Sequence, residues 1–234
     1  MERALTELWY REHAGPSLLQ PLAWLYGGLV ALRRRAYASG WARSAGAGRP
    51  VVVVGNLTVG GTGKTPLTLW LAQALRGAGL RVGIVARGYG SRTGRAPRRV
   101  APDSLWQEVG DEPLILARRS ACPTVVGIDR LAAARLLAAD GVDVILADDG
   151  LQHLRLARAC EIVVIDGARG IGNGRLLPAG PLREPASRLR QVDAVVVNGA
   201  VTRGSLAPLL PATAGDKFEM TLSGIGGATV SFEA

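Results

Sequence analysis

Val51-Val52-Val53-Val54-Gly55-Asn56-Leu57-Thr58-Val59-Gly60-Gly61-Thr62-Gly63-Lys64-Thr65-Pro66 decides the fold. Four consecutive β-branched residues make a buried strand. A glycine-rich turn follows, and Lys64-Thr65-Pro66 opens a helix whose first turn tolerates a residue without an N–H. Strand, glycine loop and helix in this order form a phosphate-binding loop. Its backbone N–H groups and helix N-terminus face a polyphosphate, the lysine bridges phosphate oxygens and the threonine hydroxyl reaches Mg²⁺. The nucleotide-contacting residues on this reading are Thr58, Val59, Gly60, Gly61, Thr62, Gly63, Lys64 and Thr65. Thr58 stands where the usual spacing has its first glycine, so the loop is a variant.

Outward from that loop the chain alternates helix and strand. Leu67 to Arg76 reads as helix, Val82 to Ala86 as strand, and Arg87 to Arg99 as a loop rich in glycine and arginine. Glu112 to Arg119 reads as helix, Thr124 to Val126 as a short strand and Arg130 to Ala139 as helix. Val142 to Ala147, Ile162 to Ile165 and Ala194 to Val197 complete the strands. Strands separated by helices predict an α/β fold, a P-loop NTPase-like, mostly parallel sheet flanked by helices, with ligands at the carboxyl ends of the strands. Three regions are expected: an N-terminal helical region over 1–43, a nucleotide-binding domain over 50–200, and the start of a smaller lobe over 201–234.

The 234 residues are 48% hydrophobic and 20% charged, with a net charge of +9, which favours an anionic partner: nucleic acid, a membrane surface or a phosphorylated substrate. Cys122 and Cys160 have no metal-type spacing and fit a reducing compartment as small buried side chains. The acidic, mixed start shows no cleavable signal. Leu18 to Leu32 is apolar and ends in Arg33-Arg34-Arg35, but Gln20, Pro21 and Gly27-Gly28 weaken a spanning helix. An interfacial helix with Trp24 and Tyr26 at headgroup depth fits better, and a helix packed on its own domain is the alternative.

Four further segments carry chemistry. Val142 to Ala147 delivers Asp148 and Asp149, followed by Gly150-Leu151-Gln152-His153, to the sheet edge of the phosphate loop, where one aspartate can hold Mg²⁺. In Val109-Gly110-Asp111-Glu112-Pro113, Asp111 is a candidate to orient an acceptor hydroxyl and take its proton; helix N-terminal charge is the plainer reading. Arg87-Gly88-Tyr89-Gly90-Ser91-Arg92 follows a strand, and its arginines can clamp phosphate. Gly172 to Pro185 is too rigid and apolar for an idle linker, and the prolines around Arg183-Glu184 suggest a shaped loop.

Together these segments resemble the tetraacyldisaccharide 4'-kinase (lipid A 4'-kinase) family. They occur in the family's order: apolar N-terminal helix, Gly55-Asn56 to Pro66, Arg87-Gly88-Tyr89-Gly90, Val109 to Pro113, Asp148 to His153 and Leu177 to Glu184. The resemblance implies transfer of the ATP γ-phosphoryl group to the 4'-hydroxyl of an acylated glucosamine disaccharide 1-phosphate, giving lipid IVA, with ATP and Mg²⁺ as cofactors. It implies catalytic roles for Asp111, Lys64 and Asp149, and a metal set of Thr65, Asp148, Asp149 and Glu184. Arg87, Tyr89 and Arg183 would meet the substrate. It also implies the cytoplasmic face of the bacterial inner membrane, held peripherally or anchored by the N-terminal helix, and no nucleic acid partner. Family members run on into a second lobe carrying a histidine; here only His13 and His153 occur, so a C-terminally truncated copy is expected.

Two other readings remain. Partitioning-type ATPase or GTPase switches share the Gly-Gly-x-Gly-Lys-Thr loop but commonly carry lysine at the position of Val59. A nucleotide-binding remnant without catalysis is the third.

Overall fold

The structure, a computed structural model, describes residues 9–10, 18–88 and 96–199, and the backbone of 218–221 and 229–232. Its first long element is the helix α1 (Gln20–Ala38), with Pro21 in the first turn where the missing N–H costs nothing. Then follow β1 (Val51–Gly55), α2 (Lys64–Gly77), β2 (Val82–Ala86), β3 (Arg98–Val100), α3 (Trp106–Val109), α4 (Asp111–Ser120), β4 (Thr124–Val126), α5 (Arg130–Ala139), β5 (Val144–Asp148) and β6 (Cys160–Asp166). A 3₁₀ turn (Ala186–Gln191) precedes β7 (Ala194–Asn198), and β8 (Phe218–Thr221) pairs with β9 (Thr229–Phe232) as a separate antiparallel two-strand sheet. The main sheet has seven strands in the order β3-β4-β2-β5-β1-β6-β7.

Pairing is parallel for β1 with β5, β2 with β5 and β2 with β4. Strands β1, β2 and β5 are buried along their whole length, as expected for a parallel sheet covered on both faces. Helix α2 packs on β1, β5 and β2, while α4 and α5 pack on β4 and β2. The chain divides into two compact units. One comprises residues 1–43, 56–63 and 163–212; the other comprises 44–55, 64–162 and 213–234.

The sequence boundaries hold for β2, β4 and α5 and shift elsewhere. The strand expected from Val142 starts at Val144, because Asp143 is drawn into a bidentate pair with the Arg81 guanidinium and also accepts from the Arg81 N–H. The Arg87 to Arg99 segment was read wholly as loop, yet Arg98–Val100 forms the antiparallel edge strand β3 against β4. Helix α2 begins at Lys64, as the reading of Lys64-Thr65-Pro66 as its opening has it, and ends one residue beyond Arg76, at Gly77.

Helix α1 shows two unlike faces. Only Ala23 is fully buried, and Tyr26, Gly27 and Arg34 are half-buried. Leu22, Leu25, Leu29 and Leu32, spaced to fall on one side of a helix, are 54–66% exposed, and Trp24 is 70% exposed. Among the described residues no helix is long and apolar enough to cross a membrane.

Candidate functional site

Strand β5 delivers the acidic candidate residues. Its parallel register with β1 pairs Val54 with Asp148, so the aspartates arrive level with the end of the strand that feeds the phosphate loop. Gly55 is required there: a Cβ would come within 2.6 Å of the Leu151 Cβ. Asp149 turns the chain with φ at 50°, a left-handed value for which aspartate is among the better-tolerated non-glycine residues. That turn sets its carboxylate beside Lys64, with Nζ 3.6 Å from Oδ1 and both side chains mostly buried.

Asp148 is buried, and Thr68 donates to its Oδ1 at 2.9 Å. Burial pushes its pKa up to about 6, and the Glu112 charge adds to the rise while the Thr68 hydroxyl and Lys64 oppose it. Asp111, one residue before Glu112, is exposed at the start of α4, where its Oδ1 accepts the Glu112 N–H at 2.9 Å. It is therefore Glu112, quoted in the sequence but not singled out, that Asp148 feels most among the carboxylates.

Arg130 was also missed. It is 2% exposed in the first turn of α5, and one of its nitrogens donates to the Asp148 carbonyl at 3.3 Å. Its Nε and Nη1 have no protein partner. Burial lowers its pKa to about 10 although Asp148 and Asp149 oppose that. A cavity of about 410 Å³ is lined by Arg130 with Ile128, Asp129, His153 and Arg155. Periodicity marks Arg130 only as the first residue of a helix, so nothing in the pattern signals a buried charge. Arg87 lies exposed at the end of β2, close enough to Arg130 to lower its pKa further; Tyr89 lies outside the described residues.

The other unit holds residues 56–63. Thr58 forms an antiparallel bridge with Leu182, and the Val59 N–H donates to the Pro181 carbonyl at 2.9 Å. This extended backbone explains why the first loop position needs no glycine. Positive φ begins at Gly60 (105°) and returns at Gly63 (90°), where a Cβ would lie 2.2 Å from Asn198 Nδ2. Asn198 in turn donates to the Thr62 carbonyl at 3.2 Å, and Arg169 donates to the Gly61 carbonyl while paired with Asp166. The Thr62 hydroxyl is buried without a protein partner.

Glu184 sits in the same unit. Arg34 Nη1 donates to its Oε2 at 2.6 Å, and Arg188 Nε lies 3.4 Å from the same oxygen. The carboxylate assigned by resemblance to a metal is thus held between two guanidiniums. Arg183 is half-buried, and its carbonyl accepts from the Tyr26 hydroxyl.

The family model described as Tetraacyldisaccharide-1-P 4'-kinase (LpxK) matches residues 16–229. The chain belongs to this family. Members carrying the name tetraacyldisaccharide 4'-kinase include that of Alkalilimnicola ehrlichii, 61% identical over 190 residues, which are 81% of this chain and 56% of the relative. The Pseudomonas paraeruginosa kinase is 54% identical over 84% of this chain and 59% of its own length. That of Herminiimonas arsenicoxydans is 51% identical over 96% of this chain and 61% of its own. A crystal structure of LpxK from Aquifex aeolicus in complex with ATP superposes with a TM-score of 0.69 at 32% identity, covering 87% of this chain and 64% of that kinase. The chain spans less than two thirds of the length of these kinases.

Proposed function

We propose that this chain transfers the γ-phosphoryl group of ATP to the 4'-hydroxyl of tetraacyldisaccharide 1-phosphate, giving lipid IVA. The observation that carries this reading is the meeting of Lys64 with Asp149, beside Asp148, at the carboxyl end of β5 in a chain of the kinase family. The ATP complex of the Aquifex aeolicus kinase supports ATP as the donor.

Lys64 bridges the β- and γ-phosphates, leaving its pairing with Asp149 as they bind. Mg²⁺ fits the donor set. Thr65 with Asp148 or Asp149 would hold the cation through oxygen donors of the kind Mg²⁺ takes, and bound there it would offset phosphate charge. Asp111 takes the proton of the 4'-hydroxyl as that oxygen bonds to phosphorus and the bond from phosphorus to the β-phosphate oxygen breaks, releasing ADP.

The acceptor is acylated, so the protein works at a lipid surface. The exposed leucine face of α1 with Trp24, ending in Arg33 and Arg35, supports peripheral attachment to the anionic cytoplasmic face of the inner membrane.

Labelled ATP with purified acceptor in mixed micelles tests the reading. Acceptor-dependent transfer supports the kinase, hydrolysis without acceptor supports a nucleotide switch, and tight binding with neither supports a remnant.

A further inference from the structure

Helix α1 and the phosphate loop are joined by a continuous set of contacts inside one unit. On the helix, Arg34 donates to Glu184 at 2.6 Å and to Gln191 Oε1 at 2.6 Å, and the Tyr26 hydroxyl donates to the Arg183 carbonyl at 3.0 Å. Gly27 lets the same loop approach: a Cβ there would come within 2.7 Å of Leu176 Cδ1. From the loop, the Arg183 N–H donates to the Leu57 carbonyl at 2.7 Å and the Pro181 carbonyl accepts the Val59 N–H at 2.9 Å. Thr58 and Leu182 sit between these two bonds as bridge partners. The residue bearing the ion pair, Glu184, therefore adjoins the residue hydrogen-bonded to the phosphate loop.

The geometry points to Arg34 as a positioning residue for the phosphate loop, acting through Glu184 and the Pro181–Arg183 strand on the backbone of Leu57, Thr58 and Val59. Glu184 and Arg188 side chains are 6% and 5% exposed, so the carboxylate is poorly reached by water and depends on its guanidinium partners. Without Arg34 the carboxylate keeps only Arg188 of the two, and of the side-chain bonds above only that of Tyr26 still joins the helix to this loop. The loop backbone then loses the support that holds Val59 extended ahead of the turn at Gly60. The face of α1 carrying the exposed leucines is a different one, so whatever seats that face also fixes Arg34. The inference rests on the nucleotide-binding reading above.

The test is titration of the whole chain with a fluorescent ATP analogue and Mg²⁺, which needs no acceptor. Arg34→Ala is expected to weaken binding about 5- to 20-fold, the lower end of typical coupling between linked sites. Arg34→Lys should recover part of the loss. The double variant Arg34→Ala/Glu184→Gln should be no weaker than Arg34→Ala, because both act along one path. Arg43→Ala, an exposed arginine beyond the helix, should stay within about twofold. Hydrogen exchange in Arg34→Ala should quicken at the Val59 and Arg183 amides and not in β5, which separates a local release from general destabilisation. Unchanged affinity in Arg34→Ala, an effect matched by Arg43→Ala, or uniformly faster exchange overturns the inference and leaves the kinase reading standing. Failure of the unsubstituted chain to bind the analogue overturns both.

Discussion

Lys64 Nζ stands 3.6 Å from Asp149 Oδ1, so the loop lysine and a strand-end carboxylate share the reaction site. Lys64→Ala should therefore damage nucleotide affinity and transfer together, since its charge meets phosphate in both ground and transition states. Asp111→Ala should abolish transfer, by about 100-fold or more, while ATP affinity stays within a few-fold. Single-turnover transfer beside equilibrium nucleotide titration separates the two. Equal loss of binding in both variants would sink these roles.

Asp148 gives the pH dependence. Its folded pKa is raised to about 6 against an ordinary 3.8, so the folded chain holds this proton more tightly than the unfolded one. The group's contribution to stability falls as pH rises from the unfolded to the folded value and is flat above that. Asp148→Asn should thus melt higher than the unsubstituted chain at neutral pH. The same proton competes with a cation: Mg²⁺–nucleotide affinity should drop about tenfold per pH unit below about 6, and the Asn variant should lose both the affinity and the slope. Calorimetric titrations at pH 5, 6 and 7.5 would read this.

Two glycines should answer differently to one methyl group. Gly55→Ala drives a Cβ to 2.6 Å from that of Leu151 and to 3.3 Å from its backbone nitrogen, so stability should fall by about 1–3 kcal/mol. Gly28→Ala, with nothing within 4 Å inside α1, should raise it by about 0.5–1 kcal/mol. Urea midpoints for the pair check both signs.

The leucine face of α1 should govern lipid binding alone. Leu25→Ser with Leu29→Ser should lower partitioning onto vesicles of anionic phospholipid by about tenfold or more, from lost apolar burial. The melting midpoint should not move, because both side chains are already 59–64% exposed. Undiminished vesicle binding would leave the face without this role.

Sequence pattern reached the parallel strands and the phosphate loop because burial on both faces leaves unbroken runs such as Val51 to Val54. It missed β3, whose three residues, Arg98, Arg99 and Val100, carry two charges on an edge and offer no run to see. It caught Asp148 and Asp149 from their place after an apolar strand. It could not reach Arg130, because a charged residue buried at a helix start looks in sequence like any solvated one. Nor could spacing show that Glu184 meets Arg34, a partner 150 positions away.

The arginines of β3 also bear on how this molecule avoids its own kind. An edge strand exposes a row of unpaired backbone groups that invite another chain to add on. Here Arg98 is paired with Glu108 and Arg99 with Asp140, so both remain at the rim, bulky and charged. A second copy approaching that rim would meet two guanidiniums before it met a hydrogen bond, which disfavours stacking of sheets end to end.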